Sequence, residues 1–84
     1  MKFQLYSDPG HGWVKVKKSV LVKLGIADKI SSYSYMRNDD AFLEEDCDAS
    51  LLIAALKSNG KTFEHKESIS NKSSKIRSYD CYRC

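Results

Sequence analysis

One segment of this chain reads as a helix of several turns, and it limits what the rest can be. Residues 46–60, DCDASLLIAALKSNG, place Leu52, Ala55 and Leu56 on one helical face, with Leu51 and Ile53 widening the stripe. Asp46 or Asp48 is placed to cap the start, where a carboxylate meets free N–H groups and the positive end of the helix dipole. Asn59-Gly60 stops it. A single apolar stripe has to be laid on something. The segments around it are short runs of period two, so the helix is expected on one face of a small sheet.

Those runs can be taken in order. KFQLY alternates Phe3 and Leu5 with polar neighbours, and GWVKVKK sets Val14 and Val16 on one side with Trp13, Lys15 and Lys17 on the other. Asp8-Pro9-Gly10 between them is a turn signal, which makes the pair a hairpin or a wide connection. KSVLVKLGI changes period: Val20, Leu21 and Leu24 share a face of a short helix that begins near Lys18 or Ser19 and ends at Gly25. A strand around Ser34 to Arg37, a turn at Asn38-Asp39-Asp40 and a return through AFLEE form a second hairpin. After the main helix, KTFEHKESI alternates as an edge strand, SNKSSK is a solvated loop, and IRSYDCYRC is a tail that pairs or frays. The expected order is β-β-α-β-β-α-β, an α+β fold with a small, mostly antiparallel sheet and one main helix packed on one face. Residues 1–70 are read as a single domain and 71–84 as a polar loop and C-terminal tail.

Eighty-four residues, 42% hydrophobic and 30% charged, suit one modest core and argue against wholesale disorder. No apolar run is long enough to span a bilayer and the N-terminus has no secretory pattern, so a cytoplasmic protein is expected, in a bacterial host cell on the resemblance below. The formal charge of +3 is segregated. Residues 1–30 hold six lysines against two aspartates, and 51–84 hold seven basic against three acidic residues. Between them, 31–50 set Arg37 against six carboxylates. A dedicated nucleic-acid binder is more often basic throughout or along one stripe; this layout suits a polar protein partner at least as well.

Four groups of residues could carry function. In YSDPGHGW, Asp8 and His11 have the elements of an acid–base pair, and Gly10 and Gly12 would admit a ligand to the backbone. The spacing matches no catalytic or metal signature, however, and the glycines lead into a strand where phosphate cradles lead into a helix. The loop is therefore read as structural, with His11 and Trp13 available to a partner. Cys81 and Cys84 have the C-x2-C spacing of zinc thiolates, with Cys47 or His65 as conceivable further ligands, but a lone pair at a terminus is a weak signal. Neither a metal nor another cofactor is expected. Asp39, Asp40, Glu44 and Glu45 form an acidic block suited to an arginine-rich surface. Lys15, Lys17, Lys18 and Lys23, beside Trp13, are the residues a nucleic-acid backbone would use. Tyr33 and Tyr35 are expected on one side of a strand, as core or as a stacking platform.

Three stretches, YSDPGHGW at 6–13, LGIADKISSYSY at 24–35 and LEEDCDAS at 43–50, resemble a family of small proteins encoded by bacteriophages and other mobile elements. The family commonly has a proline near Lys17 and a glycine in the second hairpin turn, where this chain has Asn38-Asp39-Asp40. The likeness covers roughly the first two thirds of the chain, leaves the CYRC tail outside, and implies no catalytic residues. A looser likeness is to swapped-hairpin transcription regulators and antitoxins, carried by VKVKKSVLVKLGI and SYSYMRNDDAFLEE. Those proteins dimerise into a barrel and bind DNA; here Ala27-Asp28 stands in place of their Gly-Asp, and a long second helix is added.

The expectation is a non-enzymatic, phage-encoded binding protein, monomeric or homodimeric and not associated with membrane. It would inhibit a bacterial defence system, as anti-CRISPR proteins do, by occupying a basic nucleic-acid-binding surface on a host protein. The alternative is a DNA-binding regulator or antitoxin of the swapped-hairpin type.

Overall fold

The computed structural model describes residues 2–45, 47–69 and 75–83. It is an α+β fold built on a six-stranded mixed sheet, in the order β5-β1-β2-β4-β3-β6. The strands are β1 (Lys2–Ser7), β2 (Gly12–Lys17), β3 (Tyr35–Arg37), β4 (Asp40–Glu44), β5 (Glu64–Ile69) and β6 (Asp80–Cys81). The helices are α1 (Lys18–Lys23) and α2 (Ala49–Ser58), with 3-10 turns at Ala27–Lys29 and Lys75–Ser78. All neighbouring strands are antiparallel except β1 and β5, which run parallel after α2 crosses back over the sheet. A parallel pair needs such a crossover, and the apolar stripe of α2 supplies its packing.

The period-two pattern divides the sheet as its residues require. Phe3, Val14, Val16, Ala41 and Leu43 point to one side and pack with Leu21, Ile26, Leu52 and Leu56 from the helical layer. Both helices end in the same way. Gly25 (φ 73°) and Gly60 (φ 69°) take the left-handed position after the last turn. Ile26 N–H then reaches back to the Leu21 carbonyl at 3.0 Å, and Lys61 N–H to that of Leu56 at 2.8 Å. At the end of α1 the two residues joined by this bond, Leu21 and Ile26, are buried together in the core, so the stop and the packing are one device.

The opposite side carries a second, aromatic cluster. Trp13, Lys15 and Lys17 on β2 stand across from Glu44, Phe42 and Asp40 on β4, and so share a face with them. Trp13, Phe42 and Ile76 are buried there, with Tyr6, Tyr35 and Tyr79 packed around them. Ile76 comes from the 3-10 turn Lys75–Ser78. The stretch expected as a tail thus pairs with β3 through β6 and supplies a buried side chain to each face, Ile76 to one and Tyr82 to the other.

Three local expectations need correction. Asp48 occupies the cap position of α2, but its carboxylate makes no hydrogen bond to the helix. It accepts instead from the Ser31 N–H, the Ser31 hydroxyl (2.7 Å) and the Ser34 hydroxyl. Asp46, the other proposed cap, lies outside the described residues. Tyr33 does not share a strand with Tyr35, because it sits in the turn before β3. Finally, β4 begins at Asp40, so the turn of the second hairpin is Asn38-Asp39 alone, with Asn38 at φ 55°. Asparagine tolerates that region better than most side chains, which is how this turn forms without glycine.

Candidate functional site

Asp8 organises the opening loop. Its side chain is 0% exposed, and Oδ1 accepts from the N–H groups of Gly10 and His11, both at 3.0 Å. This is an Asx-type turn, the reason an aspartate suits the position. The same carboxylate takes two bonds from Arg77, Nε to Oδ2 at 2.7 Å and Nη2 to Oδ1 at 2.9 Å. These hydrogen bonds raise the Arg77 pKa above its ordinary value, and the Asp8 charge adds to the effect. A side chain at Gly10 would come within 2.8 Å of Arg77 Nη2, so the glycine leaves room for this pair.

Arg77 in turn lies over the Trp13 ring, its guanidinium carbon 5.5 Å from the centroid. Trp13 is buried and meets Tyr35 edge-on at 6.3 Å and His11 at 6.1 Å. Its Nε1 has no acceptor among the described residues. Glu44 stands opposite Trp13 on β4 and is itself buried, with Oε1 3.4 Å from His11 Nδ1. Together these residues line a pocket of about 340 Å³, completed by Cys47 and by Tyr33, which is 72% exposed.

The Ser31 and Ser34 hydroxyls that bind Asp48 hold the backbone on either side of Tyr33. Ser34 is fully buried; its hydroxyl accepts from the Glu44 N–H at 3.0 Å and donates to Asp48. The Ser34 carbonyl accepts from Tyr82 N–H at 2.8 Å, and the Tyr82 hydroxyl donates to the Ala27 carbonyl at 2.7 Å. Tyr33, Tyr35, Glu44 and Cys47 therefore flank a backbone fixed from α2 and from the C-terminal stretch.

The residues singled out from sequence are divided by this arrangement. His11, Trp13 and Glu44 come together in the pocket. Glu45 follows at the end of β4, where its N–H donates to the Gly12 carbonyl at 2.9 Å. Asp39 and Asp40 lie at the other end of that strand, about 13 Å away at the usual rise per residue. Asp40 is already engaged there, 3.8 Å from Lys15 Nζ and 3.6 Å from Lys17 Nζ. Lys18 opens α1 and Lys23 closes it, so the four lysines do not make one stripe on the sheet. Asp8 and His11 are not an acid–base pair, since Asp8 is bound to Arg77 and His11 faces Glu44.

Among the described residues, no group of three or more His, Cys, Asp or Glu side chains is placed to hold a metal. Cys81 on β6 and His65 on β5 belong to opposite edges of the sheet, and Cys84 lies outside the described residues. No helix among the described residues is long and apolar enough to cross a membrane. Comparison with protein-family models, curated proteins and solved structures finds no match to this chain.

Arg77 is the residue the sequence did not disclose. It is 69 positions from Asp8, in a stretch without period, and no local signal links the two.

Proposed function

We propose that this protein works by binding, without chemistry of its own, to a basic surface of a host protein that otherwise holds nucleic acid. That is the mode of a phage-encoded inhibitor of bacterial defence, of the anti-CRISPR kind. The observation that supports it is the aromatic pocket with a buried carboxylate, Glu44, and an exposed tyrosine, Tyr33, on a fixed backbone. Tyrosine and tryptophan held in place contribute contact area at low entropic cost, which is why they dominate binding hot spots. The DNA-binding alternative draws less support, because Asp40 engages two of its four lysines.

The immobilised protein should capture a basic host protein from a nuclease-treated bacterial lysate. The purified captured protein should then release its nucleic acid when the inhibitor is added in equal amount. Tyr33→Ala combined with Glu45→Lys changes only exposed side chains and should weaken that capture by more than about tenfold. Unchanged capture by this variant would sink the mechanism. Retardation of duplex DNA that fades steeply with added salt would transfer the protein to the regulator class.

A further inference from the structure

We infer that this protein forms a symmetric homodimer in which the β5 edges of two copies join, antiparallel, into one continuous sheet. The inference is independent of the binding reading above, since no residue of the pocket lies on β5.

The two edges of the sheet are unlike. β6 is two residues long, whereas β5 runs for six and, among the described residues, pairs with β1 alone. All six of its residues are exposed. The outer row of backbone N–H and C=O groups on such a strand is a template for a further one. Charged side chains on an edge discourage chance pairing, and Glu64, Lys66 and Glu67 supply them. The order of those charges also selects a pairing that the strand makes with itself.

Residues directly opposed in an antiparallel pair share a face of the sheet. A two-fold axis perpendicular to the sheet therefore brings one residue of β5 opposite its own copy. An axis at Glu64, Lys66 or Glu67 sets a charge against itself, which is destabilising. An axis at Ser68 or Ile69 opposes no unlike charges within β5. An axis at His65 places Glu64 opposite Lys66 of the second copy, and Lys66 opposite its Glu64, so the strand is complementary to itself in that register.

The same register accounts for two features of the single copy. The alternation of KTFEHKESI begins at Lys61, three residues ahead of the start of β5 at Glu64. Centred on His65, the pairing runs on through those positions, with Phe63 opposite Glu67, Thr62 opposite Ser68 and Lys61 opposite Ile69. Ile69 is 75% exposed in one copy, and the aliphatic stem of Lys61 covers it in the dimer. One strand against another buries little area beside a permanent interface, so the association is reversible and concentration-dependent.

Cys47 and Cys81 are exposed, so the full-length chain is studied under reducing conditions, at about pH 8, above the usual histidine range. Sedimentation equilibrium should show monomer passing to dimer between micromolar and millimolar protein. Glu64→Lys and Lys66→Glu change only exposed residues, and each turns both unlike pairs into like ones. Either should weaken the dimer about fivefold or more. Mixed in equal amounts, the two variants should recover it, because every opposed charge pair in the mixed dimer is again unlike. Amide hydrogen exchange along β5 of the unsubstituted chain should slow as protein concentration rises, while exchange at β6 does not, which tests the edge even if a variant folds poorly. A chain that stays monomeric overturns the inference. So does a dimer indifferent to both substitutions, a mixture that fails to recover it, or exchange at β5 that ignores concentration.

Discussion

Two buried aspartates do the non-local work in this small protein. Asp8 joins the first hairpin to residue 77, and Asp48 joins α2 to the turn at residues 31–34. A buried carboxylate is costly unless donors surround it, and each of these has them. Asp48 receives an N–H and two hydroxyls from Ser31 and Ser34. Its truncation strands those donors in a dry site, so Asp48→Ala should cost about 3 kcal/mol, read from the urea midpoint. A loss below about 1 kcal/mol would mean that water replaces the carboxylate. The Asp8–Arg77 pair adds no pH dependence through Arg77 in ordinary buffers. A raised arginine pKa contributes stability that is complete below the unfolded value and fades only as pH climbs through the folded one. These roles were only half visible in the sequence. Asp8-Pro9-Gly10 declares a turn, but nothing near residue 8 foretells Arg77. Asp48 at a helix start reads as a cap because capping is the local use for it, yet two serines 14 and 17 positions earlier take its oxygens.

At the scale of elements, legibility follows period. The alternation of Trp13, Val14, Lys15, Val16 and Lys17 assigns each side chain to the correct face of β2, and the stripe of Leu52 and Leu56 places α2 on the valine side. The 3-10 turn Lys75–Ser78 has no such pattern: Ile76 is a lone apolar residue among polar ones, and a single residue has no period to read. It nevertheless covers the second face, being 3% exposed and packed with Trp13 and Phe42. Ile76→Ala should therefore cost about 3 kcal/mol and shift Trp13 emission to the red as its cover thins. A cost under about 1 kcal/mol with unchanged emission would show that the turn lies on the face without sealing it. The consequence reaches the site, because Arg77 follows Ile76 and is aimed at Asp8 by the turn that buries its neighbour.

The whole molecule is one sheet with a different layer on each side. Helices cover the aliphatic face, and the aromatic face is closed by the C-terminal stretch, leaving the pocket at its margin. Strand β2 belongs to both layers, since Val14 and Val16 enter one cluster and Trp13 the other. Neither layer can therefore come apart fully without disturbing the strand they share. With so few residues, each layer buries too little apolar surface to persist alone. Unfolding should accordingly be one cooperative transition. Far-UV circular dichroism follows the helical layer and Trp13 fluorescence follows the aromatic one, so the two urea midpoints should coincide. An earlier fluorescence midpoint would show the C-terminal cover lifting while the helices persist. In that case the pocket would be assembled only part of the time. Coincident midpoints instead give a pocket as stable as the fold.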